Sequence, residues 1–421
     1  MSIPKPLTAV EIPFPPFIRR TLGYLSPRTF VYDEVVRVRP GRPPSYLITH
    51  PDDLRHVLVG AAANYTKTPF LTSARGKKRA GEGLLTRTGD AHREHRRLLQ
   101  PLFHPDPVTV FAGVIGAEIE RRLESWTPGH QLDLVEEMAD LTQSVIVTVL
   151  LGDDLASETR CELTAAINTR RAYTEYVYHG KLPYRDRLPT RIGRANHAAV
   201  ETIDRIVFYR IAKRRTAPGD DLVSRLVDGT YPDGSAMTDR QVRDEVVTFT
   251  STGYETLGEA LAWAFYLLAR DPDVDARLVS DPGFAAPVLD ESMRLFPPTW
   301  IFARIPKSTD TLPSGGSVEA GATLFLCPYL QHRHPRFFPD TERFSPQRFI
   351  DDPPPRFVYI PFGDGPHKCL GEHLARLEGT MVLAQIASEI RFELDHDLSI
   401  ELHGGITLRP AGGLPATVRV R

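Results

Sequence analysis

Residues 238–270 hold the clearest helical pattern in this chain, and its length limits what can form around it. Thr238 followed three residues later by Gln241 makes a capping-box start. Val242, Val246, Phe249, Gly253, Leu257, Ala260, Leu261, Ala264 and Leu268 then recur at helical spacing, and Pro272 stops the run. At 1.5 Å per residue, about 32 residues span roughly 48 Å, enough to cross a whole domain. The surrounding chain can bury such a helix: it has 421 residues, 41% of them hydrophobic and 25% charged.

The middle of the sequence reads as helix, with short strands near both ends. In "FVYDEVVRVRPGRPPSYLITHP" (30–51), β-branched and aromatic residues are broken by a Gly/Pro turn, which predicts a hairpin. "GGSVEAGATLFLCPY" (315–329) and "SIELHGGITLRPAGGLPATVRV" (399–420) read the same way. Prolines scattered through "MSIPKPLTAVEIPFPPFIRR" interrupt its apolar residues, so neither a signal peptide nor a membrane anchor is expected. Lys+Arg of 51 against Asp+Glu of 53 leaves a formal net charge of −2, which argues against nucleic acid and acidic membrane surfaces as partners. Three cysteines, Cys161, Cys327 and Cys369, are too few and too distant for a disulfide framework, and a reducing, cytoplasmic location is expected.

Cys369 lies in "PFGDGPHKCLGEHLARLE" (361–378), between a glycine-rich turn and the start of a helix. Leu370, Leu374, Leu377 and Met381 share one face of that helix, which places the thiol ahead of free N–H groups that stabilise a thiolate. Gly363, Gly365 and Gly371 allow sharp turns or close approach of the backbone to a flat object, and Phe362 can pack beside it. On the residues alone the thiol has three readings: an inert buried cysteine, a nucleophile or a metal ligand. No cysteine-protease pattern surrounds it, and no Cys-x-x-Cys or second ligand pair suggests zinc.

Taken together, "FGDGPHKCLG" and its continuation "EHLARLE" resemble the haem-binding signature of the cytochrome P450 family, Phe-x-x-Gly-x-x-x-Cys-x-Gly. The resemblance implies haem b, with Cys369 as the thiolate ligand of its iron and Phe362, Gly363 and Gly371 shaping the loop. Three further segments resemble the family. "LDESMRLFPP" (289–298) sets Glu291 and Arg294 three apart on a helix, and "RFSPQRF" (343–349) supplies Arg348; the family joins these three in a buried network. Gln347 stands where the family commonly has glutamate. "TSTGYETLGEA" (250–260) resembles the oxygen-activation segment, with Gly253 permitting a local widening and Glu255 and Thr256 as the acid and alcohol that deliver protons. Thr252 departs from the small residue many relatives carry there, and its hydroxyl is expected to bond the carbonyl of Thr248. "GLLTRTGDAHREHRRLLQPLFHP" (83–105) resembles the segment that holds the haem propionates, through His92 and Arg96, with His367 and Arg304 as further partners.

The implied fold is a single mainly α domain over residues 1–421, with a helix-rich part and a smaller β-rich part formed by about residues 1–66 and the C-terminal strands. The implied reaction inserts one oxygen atom from O2 into a lipophilic small molecule, such as a terpenoid or a polyketide-like metabolite. No Gly-x-Gly-x-x-Gly fingerprint is present, so NAD(P)H acts only indirectly, through a ferredoxin or flavodoxin and its reductase. Arg93, Arg97 and Lys368 are candidate docking cations for that partner. By position relative to the motifs, Phe70, Leu71, Phe249, Thr252, Thr299, Trp300, Ile301 and Ile406 line an apolar substrate pocket. A peroxide-driven or isomerising haem-thiolate enzyme and a haem sensor are the alternative readings.

Overall fold

A computed structural model describes residues 35–39, 43–178, 190–395 and 400–421, and the chain is mainly α with a smaller β part. The described residues divide into two compact units: those within Met1–Thr68, Ile119–Ala139 and Thr256–Arg421 form the first, those within Pro69–Glu118 and Asp140–Glu255 the second.

The first unit holds the sheets. Its five-stranded sheet runs in the order Val36–Arg39, Ser45–Ile48, Thr323–Leu326, Phe302–Pro306, Tyr65–Thr66. Ser45–Ile48 and Thr323–Leu326 run parallel, and the other neighbours are antiparallel. Tyr46, Ile48, Leu324 and Leu326 point from these two strands into a core with Leu54 and Ile360; Thr323–Leu326 alternates in burial, whereas Ser45–Ile48 is buried at all four positions and so covered on both faces. Pro415–Val420 is the centre of a second sheet, flanked by Gln131–Asp133 and Ile390–Leu394.

The hairpin expected at 30–51 forms between Val36–Arg39 and Ser45–Ile48, with residues 30–34 and 40–42 outside the described residues. Leu402–Gly404 and Leu408–Pro410 also pair. Segment 315–329 is different. Its strand Ser317–Val318 pairs with Asp310–Thr311, whereas Thr323–Leu326 enters the large sheet, so the two strands next to this turn do not pair with each other. Local turn chemistry shows where a chain reverses, but partner choice depends on burial that lies distant in sequence.

Helices make up most of the second unit, where Ser157–Tyr178 packs along Arg191–Thr216. Asp239–Gly253 begins with the expected capping box of Thr238 and Gln241. The single helix expected over 238–270 is in fact two, Asp239–Gly253 and Glu255–Arg270, interrupted at Tyr254. Two features cause the interruption. The hydroxyls of Thr250, Ser251 and Thr252 donate to the carbonyls four residues earlier, at 2.7, 2.6 and 2.9 Å, which bends helices. The Tyr254 carbonyl, in turn, accepts from the Thr142 hydroxyl at 2.9 Å.

The helix after Cys369, Glu372–Glu389, has a buried face that differs from the expected one. Leu374, Val382 and Ile386 are buried, whereas Leu377 and Met381 are only partly so. Glu378 lies in the buried stripe, where burial pushes its carboxyl well above the usual carboxylate range.

Candidate functional site

In the first unit, Cys369 is presented by a loop that its neighbours shape. Gly363 and Gly365 both take positive φ, 65° and 70°. A Cβ on Gly365 would stand 1.9 Å from the carbonyl oxygen of Leu58, so the approach requires glycine. Between them, Asp364 accepts from Arg356 at 2.9 and 2.8 Å and from the Gly365 amide at 2.6 Å. The Cys369 amide donates to the carbonyl of Phe362 at 2.8 Å, which folds the loop back on itself. Its thiol is exposed, two residues before Gly371 opens the Glu372–Glu389 helix. Burial pushes the Cys327 thiol up to about 12, and Cys161, exposed like Cys369, lies within the Ser157–Tyr178 helix rather than ahead of a helix start.

Several residues that support this loop were not singled out from the sequence. Arg376 lies 5.1 Å over the Phe362 ring and donates to Asp290 at 2.9 Å, and the Tyr359 hydroxyl donates to the same carboxylate at 2.9 Å. His332 accepts from the Ile360 amide at 2.9 Å. Asp364 was visible inside the motif, but no spacing rule links Asp290 or His332 to it.

Glu291, Arg294 and Arg348 come together. Arg294 donates to both Glu291 oxygens at 2.6 and 2.9 Å and to the carbonyls of His332, Thr341 and Arg343 at 3.0, 2.8 and 3.1 Å. Glu291 also accepts from the Ser345 amide at 2.9 Å and from Arg348 at 3.1 Å. Neither Glu291 nor Arg294 has exposed surface. Gln347 turns away from this cluster, accepting from Arg277 and donating to Asp351.

Arg304, on the Phe302–Pro306 strand, donates to the carbonyl of Ala303 at 3.0 Å and lies 5.2 Å over the Phe302 ring. Burial pulls its guanidinium down to about 10, with no carboxylate among the described residues to oppose it. His367 closes the short Gly365–His367 turn before the cysteine. An exposed thiol ahead of a helix start and a desolvated guanidinium without a carboxylate match what haem b needs for its iron and a propionate, so these residues fit the group. Among the described residues, no group of three or more His, Cys, Asp or Glu side chains forms an alternative metal cage.

In the second unit, His92 is buried and Arg96 partly buried on the Gly89–Leu99 helix. Glu255 is buried at the helix break after Tyr254. Thr256, in the first unit, follows in the first turn of Glu255–Arg270 and is partly buried. Arg93 pairs with Asp90 and Lys368 with Glu372 at 2.5 Å, while Arg97 is exposed.

The expected pocket residues differ in placement. Phe70 is exposed, 4.3 Å beneath the Arg79 guanidinium, and Leu71 is partly buried. Phe249 packs edge-on to Phe103 at 5.0 Å, and Thr252 lies at the helix surface. Thr299 and Ile406 are exposed and Ile301 partly buried. Trp300 has no exposed surface, and its indole donates to the carbonyl of Gly405 at 3.0 Å. Its partner at Gly405 lies 105 residues away, beyond what local sequence reveals.

The family model for cytochrome P450 matches residues 29–281 and 284–413. Cyclooctat-9-en-7-ol 5-monooxygenase of Streptomyces melanosporofaciens is 31% identical over 399 residues, which cover 89% of this chain and 85% of that protein. Pentalenene oxygenase of Streptomyces avermitilis is 28% identical, covering 91% and 89% of the two chains. Among solved structures, a six-coordinated cytochrome P450 from Thermus thermophilus is 28% identical and covers 90% of this chain and 93% of that one, with a TM-score of 0.69. No described helix is long and apolar enough to cross a membrane.

Proposed function

The chain belongs to the cytochrome P450 family, and from that premise we propose a haem-thiolate monooxygenase that oxygenates a terpenoid ring system, with electrons supplied by a separate ferredoxin or flavodoxin and its reductase. The observation that carries this reading is the exposed Cys369 thiol, on a glycine-dependent loop directly ahead of the Glu372–Glu389 helix. Relatives named for oxygenating cyclooctat-9-en-7-ol and pentalenene favour a terpenoid over other lipophilic molecules.

In this reading Cys369 binds the iron, and Arg304, His367, His92 and Arg96 pair with the propionates. Bound haem b supplies the dioxygen chemistry, and the thiolate favours O–O cleavage. The Glu291–Arg294–Arg348 network keeps the first unit rigid beneath the cysteine loop. Thr256 would hold a hydroxyl proton for the dioxygen chemistry that haem supplies, and Glu255 would relay its replacement from water. Thr252 acts as a steric wall, since its hydroxyl is engaged with the carbonyl of Thr248 at 2.9 Å.

The test is a spectral-shift titration of the purified protein with cyclic terpene hydrocarbons and alcohols, followed by turnover with NAD(P)H, ferredoxin and reductase. The expected result is a substrate-induced shift and an oxygenated product that depends on the electron partners. Product formed with peroxide alone, and none with the reductase system, would overturn the reading.

A further inference from the structure

The Gly89–Leu99 helix, which carries His92 and Arg96, docks through a polar face. Its buried residues are His92, His95 and Leu99, so two of the three are histidines. Leu99 is the one fully buried apolar residue of this 11-residue helix, with Leu98 partly buried beside it, and such apolar contacts are non-directional. A directional interaction is present instead. The Nε2 of His95 meets Glu245 Oε1 at 2.6 Å, and its Nδ1 meets the Tyr231 hydroxyl at 2.7 Å. The ring and the carboxylate are both fully buried.

Glu245 serves a second element through the same oxygen. Its Oε1 accepts from the Leu84 amide at 2.6 Å, while the neighbouring Asp244 accepts from the Glu82 amide at 2.9 Å. The loop leading to the Gly89–Leu99 helix is thereby held against one turn of Asp239–Gly253. A Cβ on Gly83 would stand 2.3 Å from the Thr248 hydroxyl, so the approach depends on glycine. With the loop and the His95 ring both fixed to Glu245, the helix has one permitted rotation. His92, three residues before His95, and Arg96, one after it, are aimed by that rotation.

We propose that His95 and Glu245 are positioning residues for the cofactor: their hydrogen bond fixes the helix so that His92 and Arg96 retain the haem propionates. This role rests on the propionate assignment of His92 and Arg96, and it makes His95 act through them. A residue acting through another gives non-additive effects in a double-mutant cycle.

The experiment measures haem transfer from the holoprotein to excess apomyoglobin, with Tm followed in parallel. His95→Leu should release haem about tenfold faster or more, the range seen when an outer-shell hydrogen-bond partner is lost. His95→Gln, which keeps a donor for Glu245, should stay within about threefold of wild type. His92→Ala should accelerate release alone, yet change it less than about twofold in the His95→Leu background. Multiplying effects, or release from His95→Leu at the wild-type rate, would overturn the proposal. If His95→Leu does not fold, Tyr231→Phe takes its place: a modest acceleration that His92→Ala does not multiply supports the role, and multiplication refutes it. Unchanged release from both His92→Ala and Arg96→Ala would instead refute the propionate assignment itself.

Discussion

The guanidinium of Arg294 spends all five of its N–H donors inside the protein, two of them on the carboxylate of Glu291 at 2.6 and 2.9 Å. Burial pulls the Arg294 pKa down, the Glu291 carboxylate opposes the shift, and loss of that carboxylate leaves the guanidinium buried without its counter-charge. Removing one partner of a buried pair costs roughly 3–5 kcal/mol. Glu291→Ala and Arg294→Ala should therefore give little haem-loaded protein, and Arg294→Lys should rescue poorly, because a lysine cannot reach five acceptors. Arg348→Ala should be milder, since Arg348 is partly exposed and the Ser345 amide still serves Glu291. Haem-to-protein ratios and urea midpoints check the order, and equal values across all three alanine variants would contradict it.

Thr252 is a second test, because its hydroxyl is satisfied within the helix by the carbonyl of Thr248. Thr252→Ala should alter substrate affinity or the site of oxidation by about 1–3 kcal/mol, with product formed per NAD(P)H nearly unchanged. A collapse of that ratio with an unaltered product pattern would show that the hydroxyl serves oxygen chemistry.

Thr256→Val separates proton delivery from binding. The variant keeps the side-chain shape in the first turn of Glu255–Arg270 but loses the hydroxyl. Substrate should bind with its usual spectral shift while NAD(P)H consumption is diverted to peroxide or water. Unchanged product per NAD(P)H would remove Thr256 from the proton route.

His332 predicts a pH dependence of stability. Burial pulls its pKa from 6.5 to about 3, so the folded ring stays neutral and accepts from the Ile360 amide. The unfolded chain takes up a proton near its ordinary value of about 6.5. Between these two values the unfolded state binds more protons, so stability is complete above the upper one and falls as pH drops toward the lower. The slope contributed is up to about 1.4 kcal/mol per pH unit. His332→Gln, which does not titrate, should lose this part of the slope in urea melts at about pH 7.5 and about pH 5. Identical slopes in the variant and the wild type would contradict the assignment.

What the sequence revealed was mostly what is encoded locally. Thr238 and Gln241 are three residues apart and announce a helix start by themselves, and Pro272 announces its end. Glu291 and Arg294 share one turn, so their pairing followed from spacing. The break at Tyr254 was only partly legible that way: Thr250, Ser251 and Thr252 are local, but the hydroxyl that takes the Tyr254 carbonyl belongs to Thr142, 112 residues away. Three of Arg294's acceptors are backbone carbonyls placed by the 332–343 region, which leave no mark on side-chain patterns. Position relative to the motifs did not reveal that Trp300 is fully buried, because its indole is held by the Gly405 carbonyl 105 residues away. The buried Glu378 breaks the apolar periodicity by which a helix face is read.

The central claim is that Cys369 ligates haem iron through its thiolate, and the carbon monoxide spectrum of the reduced protein tests it most directly. The account predicts the strongly red-shifted Soret band of thiolate-ligated haem in the wild type, and its loss in Cys369→Ser, with Cys161→Ser and Cys327→Ser unaffected. A wild-type protein lacking that band, or a Cys369→Ser variant that retains it, would contradict the assignment.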